Sequence, residues 1–199
     1  MTATSLSAIE QTLCSLESTR LQTKQRAAVA LIWRERDAQL ELLLIKRAEH
    51  PQDPWSGQMA LPGGKVDPSD ASPLAAAIRE TREEVGVDLE RQGRLLGRID
   101  DVQARARAGM LDMAITPFVF AATEGGLAVE RLKLDRQEVD EAHWISAKEL
   151  LDPQAASTMQ YPIGEKTLTL PCLHVRERTV WGLTHHMLQS FFSAVKWVG

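Results

Sequence analysis

The sequence predicts an α/β fold in which helices cover a mixed β-sheet, and three observations carry that prediction. Short, partly β-branched apolar runs stand on both sides of one glutamate-bearing amphipathic helix, and a further helical stretch closes the chain. At 199 residues the chain suits one domain with an extension, long enough to bury a substantial core. Apolar residues at 44% and charged residues at 25% are those of a globular protein, with no low-complexity tract.

Composition also narrows the partners. A formal net charge of −4 lacks the basic footprint of a general nucleic-acid binder, so no nucleic-acid partner is expected, while a nucleotide whose phosphates are bridged by metal stays open. Cys14 and Cys172 make neither a disulfide framework nor a zinc spacing. The first residues lack a basic region followed by a continuous apolar one, and no run approaches a membrane span. The expectation is a cytoplasmic protein with no membrane partner.

Taken in order, Ser7 to Glu10 reads as a capping box, and Leu6, Ile9, Leu13 and Leu16 recur at helical spacing. This first helix is expected to pack on the core or on a partner subunit, which leaves a homodimer open. Ala27 to Trp33 and Leu40 to Lys46 are apolar runs parted by a charged stretch, a hairpin pattern, and their continuous apolar character predicts burial on both faces. A polar loop with Pro51 and Pro54 follows. Within it Trp55 either stacks on a base or seals the loop against the core, two readings of equal weight.

Further on, Leu95 to Ile99 reads as a strand, then an arginine-rich loop carries Arg98, Arg105 and Arg107, which either clamp a diphosphate or sit in solvent. Met113 to Ala121 reads as a strand with Pro117 at an edge or a bulge, and Leu127 to Leu134 as another. Acids from Glu138 to Glu141 precede an apolar run. Ser146 caps a short helix to Leu151, Thr167 to Val175 forms a late strand, and a helix runs from about Trp181 to Val195. His185 and His186 are adjacent on that helix and point apart, so a paired metal role is not expected.

The rest is organised around Leu61 to Val87. Gly63 and Gly64 make a turn, Ser72 caps a helix with Pro73 in its first turn, and Gly86 ends it. At about 100° per residue, Leu74, Ala77, Ile78, Thr81 and Val85 share a buried arc, with Glu80, Glu83 and Glu84 beside it. Like charges at Glu80 and Glu84 cost roughly 0.2–0.5 kcal/mol unless a partner reverses the sign. Pairing with Arg79 and Arg82 on a solvated face would do so. A hard divalent cation would also do so, and the glycine turn with Asp67 and Asp70 just ahead favours the cation by adding close backbone approach and oxygen ligands.

These residues carry a resemblance. Gly64, Asp70, Arg79-Glu80, Glu83-Glu84 and Gly86-Val87 look like the Nudix box, a glycine and an acid followed by R-E-x-x-E-E-x-G-hydrophobic. The second half matches without a gap. In the first half Asp70 stands where the pattern has glutamate, and the spacer to Arg79 is one residue longer, as it is in the coenzyme A pyrophosphatase-like subgroup. Val180 to Thr184 is similar to a stretch near the end of that subgroup. Its upstream motif is only partly present: Leu43-Leu44 and Arg47 match, whereas an inner arginine and histidine are missing and Leu61 replaces phenylalanine.

The resemblance implies the Nudix α/β/α sandwich on a mixed sheet over residues 25–199, with residues 1–24 as an N-terminal helical extension. It implies Mg²⁺- or Mn²⁺-dependent hydrolysis of a phosphoanhydride in a nucleoside diphosphate derivative. Coenzyme A or an acyl-CoA leads the substrates, and a nucleotide sugar, ADP-ribose, a dinucleotide or a damaged nucleoside triphosphate is the alternative. Glu80 and Glu84 are assigned to metal, Glu83 to metal or water activation, and Arg79 to orienting a carboxylate. Gly63, Gly64, Arg47, Trp55 and Arg105 are assigned to substrate, with Glu138, Glu141 and Asp70 as a further ligand or base. A binding module of the same family would be expected to have lost box acids, and all three helix glutamates are present.

Overall fold

The computed structural model describes residues 5–53, 55–106, 109–123, 131–164 and 166–197. Its first element, α1 (Leu6–Cys14), starts ahead of the expected box: Ser5 is the cap and accepts from the Ala8 amide at 3.2 Å. Ser7 therefore lies inside the helix, and Glu10 pairs with Arg94 instead of closing a box. Ile9 and Leu13 are buried, as their spacing predicts.

The hairpin forms from β1 (Gln25–Arg36) and β2 (Gln39–Arg47), closed by Asp37 and Ala38 at φ 51° and 58°. Two consecutive residues at positive φ give a turn whose twist matches that of the strands. Alternation places Val29, Leu31, Trp33, Leu42 and Leu44 in one apolar cluster and Ala30, Ile32, Leu43 and Ile45 in another, so both faces are buried.

The two strands pair with each other only near the turn, from Trp33 opposite Leu42 to Arg36 opposite Gln39. Beyond that they part. Into the gap run β3 (Met59–Ala60), paired with β2, and β4 (Gly63–Lys65), paired with β1. At the fork the Ala30 amide donates to the Pro62 carbonyl at 2.8 Å. The glycine segment is thus wedged between two core strands, which fixes where the following helix begins.

On the other side of β1 lies the parallel strand β7 (Gly109–Ala122), whose far edge carries the antiparallel strands β5 (Gly93–Arg98) and β6 (Val102–Ala106). Strand β8 (Val139–Ser146) pairs with the outer side of β2, completing, among the described residues, a mixed sheet of eight strands. Pro117 sits in a central strand, not at an edge. Its carbonyl accepts from the Ile99 amide at 3.2 Å, on the side where β5 has ended and β6 has not begun. The missing N–H thus falls at a break in the ladder. Part of the expected arginine-rich loop is strand β6, and Arg107 lies outside the described residues.

Helices α2 (Pro73–Val85) and α3 (Leu89–Gln92) supply the second apolar cluster. The first cluster draws on α1, α4 (Ala147–Leu150), α5 (Gly182–Ala194) and a small sheet of β9 (Ala156–Ile163), β10 (Lys166–Val175) and β11 (Arg178–Trp181). Ser146 caps α4 in a capping box with Glu149. Strand β9 escaped the sequence reading because it is largely exposed on both faces and has no apolar period to show. Of the expected strand from Leu127 to Leu134, residues 127–130 lie outside the described residues and 131–134 form no strand.

Candidate functional site

Helix α2 is built as its sequence dictates. Ser72 accepts from the Ala75 amide at 3.2 Å, Pro73 occupies the first turn, and Gly86 at φ 72° ends the helix with its amide on the Arg82 carbonyl at 3.0 Å. The buried arc comprises Ala76, Ala77, Thr81, Glu84 and Val85, with Leu74 and Ile78 half-buried. Glu84 projects only about 20° from Ala77 at the helical period and goes inward with it.

Burial of Glu84 beside the glycine segment defines the local chemistry. Its side chain is 1% exposed, one oxygen accepts from the Gly63 amide at 2.8 Å, and Arg47 stands 3.8 Å from the other. Burial pushes its carboxyl up to about 8, against the lowering effect of the Gly63 amide and Arg47, and with the charges of Glu80 and Glu138 adding to the rise. Glu80 is raised too, first by burial, with Arg79 opposing and the charges of Glu83 and Glu138 assisting.

The glycines are there for close approach. A Cβ on Gly63 would lie 2.3 Å from the Ala28 carbonyl, at a φ of 142°. On Gly64 it would lie 2.5–2.7 Å from the Glu80 carboxylate. The seat of Glu80 is thus the space that the missing side chain leaves.

Arg79 gathers the remaining acids. It makes a two-pronged contact with Asp70 at 3.0 and 2.9 Å, reaches Glu80 and Glu83 at 2.9 Å each, and donates to the Lys65 carbonyl at 3.2 Å. Hydrogen bonds from Arg79 hold the Asp70 carboxyl below its ordinary range, and Asp70 and Glu80 raise Arg79 in turn, against its burial. Asp70 and Glu83 line a second depression beside α2, separate from the main cavity.

That main cavity, of about 440 Å³, is bounded by the glycine segment, Glu80, Glu84 and Glu138, by Arg47 and Trp55 from the loop after β2, and by residues of β7 and α5. Asp53, half-buried, grips Arg47 at 2.8 Å and accepts from the Trp55 amide at 2.9 Å, so one carboxylate shapes the loop. Trp55 both lines the cavity and packs on the larger apolar cluster.

Glu141 is not brought there. It takes two bonds of 2.9 Å from Arg178, with His143 at 2.7 Å and Lys46 at 3.5 Å, and these outweigh its burial and hold it down at about 2. Glu138 precedes β8, whereas Glu141 lies within that strand, three residues on, where its neighbours are Arg178, Lys46 and His143. The side chain of Arg105 lies outside the described residues. Sequence reasoning missed Asp53 and the α5 residues Leu183, Thr184 and Met187. An acid six residues after Arg47 was a usable signal for the first and the similarity of Val180 to Thr184 for Leu183 and Thr184, whereas Met187 had none, because helical periodicity reports burial and not which cavity a helix borders.

Among the described residues, no three His, Cys, Asp or Glu side chains are grouped in metal-holding geometry, and Glu80 and Glu83 are paired with Arg79. The donor set nevertheless fits a hard divalent ion. Three carboxylates share one cavity, the charge of Glu138 raises the proton affinity of both Glu80 and Glu84, and the Gly64 gap gives Glu80 its place beside them.

Taken together, the split hairpin, the wedged glycine segment and the acid-bearing helix define an α/β/α sandwich protein with an acidic cavity at the fork of its central strands. A model of the NUDIX domain matches residues 23–164, and the chain belongs to the Nudix family of pyrophosphohydrolases, enzymes that generally depend on divalent metal. It is 31% identical to the mitochondrial coenzyme A diphosphatase NUDT8 of Mus musculus over 144 residues, 72% of this chain and 65% of the other. Over 66 residues, 33% of this chain and 34% of the other, it is 50% identical to the uncharacterized Nudix hydrolase NudL of Enterobacter sp. (strain 638). Matched stretches span between 34% and 65% of the length of the first curated relatives. The fold is similar to that of a MutT/nudix family protein from Enterococcus faecalis, with TM-score 0.58 at 18% identity over 96% of this chain and 70% of that one. No helix of the described residues is long and apolar enough to cross a membrane.

Proposed function

We propose that the protein hydrolyses the phosphoanhydride of a nucleoside diphosphate linked to a second moiety, with coenzyme A or an acyl-CoA the leading substrate. The observation that carries the reading is the convergence of Glu80, Glu84 and Glu138 on one cavity beside the glycine segment, with Glu84 buried. Similarity to the mouse coenzyme A diphosphatase supports the substrate.

Glu84 and Glu80 would hold Mg²⁺ or Mn²⁺, and Glu138 would complete the set or accept a proton. A divalent ion there supplies neutralisation of the diphosphate and a lowered pKa for water. Arg79 orients Glu80 and Glu83 and keeps Asp70 away from the cavity, so Asp70 acts through the arginine. Glu83, paired with Arg79, serves as ligand or base once that contact loosens. Gly63 and Gly64 keep the backbone low enough for a phosphate to approach, and Arg47 neutralises charge at the rim. Residues 25–199 form the catalytic domain and residues 1–24 its extension; the protein acts on a small molecule in the cytoplasm, as a monomer or homodimer, without nucleic acid or membrane.

The test is release of 3′,5′-ADP and 4′-phosphopantetheine from coenzyme A with Mg²⁺ or Mn²⁺, beside ADP-ribose, dinucleotides, nucleotide sugars and nucleoside triphosphates. Metal-dependent cleavage of coenzyme A is the expected result. Preference for another diphosphate would replace the substrate and keep the chemistry, and no turnover across the panel would sink the enzyme reading.

A further inference from the structure

The cavity has two chemically unlike halves, because its large apolar lining residues belong to or pack on one contiguous cluster apart from its acids. One end is acidic, with Glu80, Glu84 and Glu138. The other is walled by Met59 and Leu61 before the glycines, Met113 and Ile115 of β7, and Leu183 and Met187 of α5. The five of these other than Leu183 are between 2% and 7% exposed. Three are methionines from three different elements, unbranched side chains that adapt to the shape of an occupant.

Among the described residues this half has no cation in its walls, and its polar groups are neutral: Gln58, whose side-chain oxygen lies near Gly182 at the start of α5, and Thr184. The Thr184 hydroxyl donates to the Met59 carbonyl at 2.9 Å and is already satisfied. Among the described lining residues the cations are Arg47 and Lys65. Arg47 is held by Asp53 and faces Glu84, and Lys65 is exposed beside the glycines. An anion in the methionine-lined half would lose its water with no cation in exchange, whereas each methylene moved there favours binding.

We propose that the methionine-lined half is a subsite for an uncharged aliphatic chain carried on the phosphate opposite the nucleoside, with Met113 and Met187 as specificity-determining contacts. The inference rests on the reading above that the diphosphate lies at the acidic end. It goes beyond that reading by excluding substrates whose second moiety bears a charge near the far end of the cavity. A nucleobase is the other apolar group of such a substrate, and the test separates the two.

The experiment measures, by titration calorimetry on the full chain with Mg²⁺, the binding of non-hydrolysable α,β-methylene-ADP esters. The β-phosphate carries a methyl, butyl or octyl group, or an octyl group ending in a carboxylate. We expect Kd to fall at least about tenfold from methyl to octyl, and the terminal carboxylate to forfeit that gain. A Kd that is flat with chain length, as it would be if the base filled the subsite, overturns the proposal, and so does failure of every ester to bind. Met187→Gln should narrow the octyl-to-methyl ratio severalfold, while Met187→Leu, of similar volume, should keep it. An unchanged ratio in Met187→Gln removes that residue from the subsite. Turnover of the hydrolysable octyl ester is scored separately: chain-length-dependent binding without turnover counts against the hydrolase reading and leaves the subsite standing.

Discussion

Glu84 carries two opposing demands at a single position. Its carboxyl, ordinarily near 4.5, is raised to about 8, so the folded metal-free protein holds a proton there that the unfolded chain releases. The stability it contributes is therefore complete below about pH 4.5 and is lost as pH rises toward 8. Glu84→Gln should remove that slope from a melting-temperature series in chelator, leave the melting temperature at pH 8 unchanged or slightly higher, and nearly abolish metal-dependent turnover. Retained turnover would cancel the ligand assignment.

The two glycines make a paired test at the same scale. Gly64→Ala displaces only the far end of a flexible glutamate, so we expect a large loss of activity with a small change in melting temperature. Gly63→Ala meets backbone at 2.3 Å under a positive φ, and there we expect the fold itself to suffer. If the two variants proved equally stable, the wedge geometry would be wrong.

Elements differ in how plainly the chain announces them. Helix α2 is written in full by Ser72, Pro73 and Gly86, and Ser72→Ala should cost about 1 kcal/mol in a urea titration. The loop after β2 is harder to read, because Trp55 meets both the cavity and the core. Trp55→Ala should raise KM for a base-containing substrate if the indole stacks, and lower the melting temperature alone if it only seals the loop. Steady-state kinetics beside thermal denaturation decides which. Strand β6 was taken for a loop because it lies between Arg98 and Arg107 and its short run, with Arg105 inside it, shows no clear apolar alternation, although its pairing with β7 is through backbone groups that any residue supplies.

At the scale of the whole molecule, a buried charge ties the segment before β1 to the sheet. Asp101, whose side chain is fully buried, accepts from Arg26, Arg98, Thr116 and the Leu21 amide. Burial works against its charge, but those partners outweigh it and hold the carboxyl below its ordinary range. Asp101→Asn leaves two arginines facing one another without their anion, and we expect a loss toward the low end of about 3–5 kcal/mol, since both arginines are partly exposed. A denaturation midpoint equal to that of the parent would contradict this.

The sequence by itself determined the core hairpin, the acid-bearing helix with both its ends, the capped α4 and the closing helix. Those depend on apolar period, capping oxygens and glycine, which act over a few residues. It also determined that Glu80 and Glu84 stand one turn apart on a common arc. Only the tertiary structure decided that Glu138 joins them while Glu141 turns to Arg178, that Asp70 serves Arg79, and that α5 closes the far wall with Met187. The physical reason is the fork between β1 and β2. Where two paired strands part, and what enters between them, depends on contacts between distant residues, and no local period in the chain encodes it.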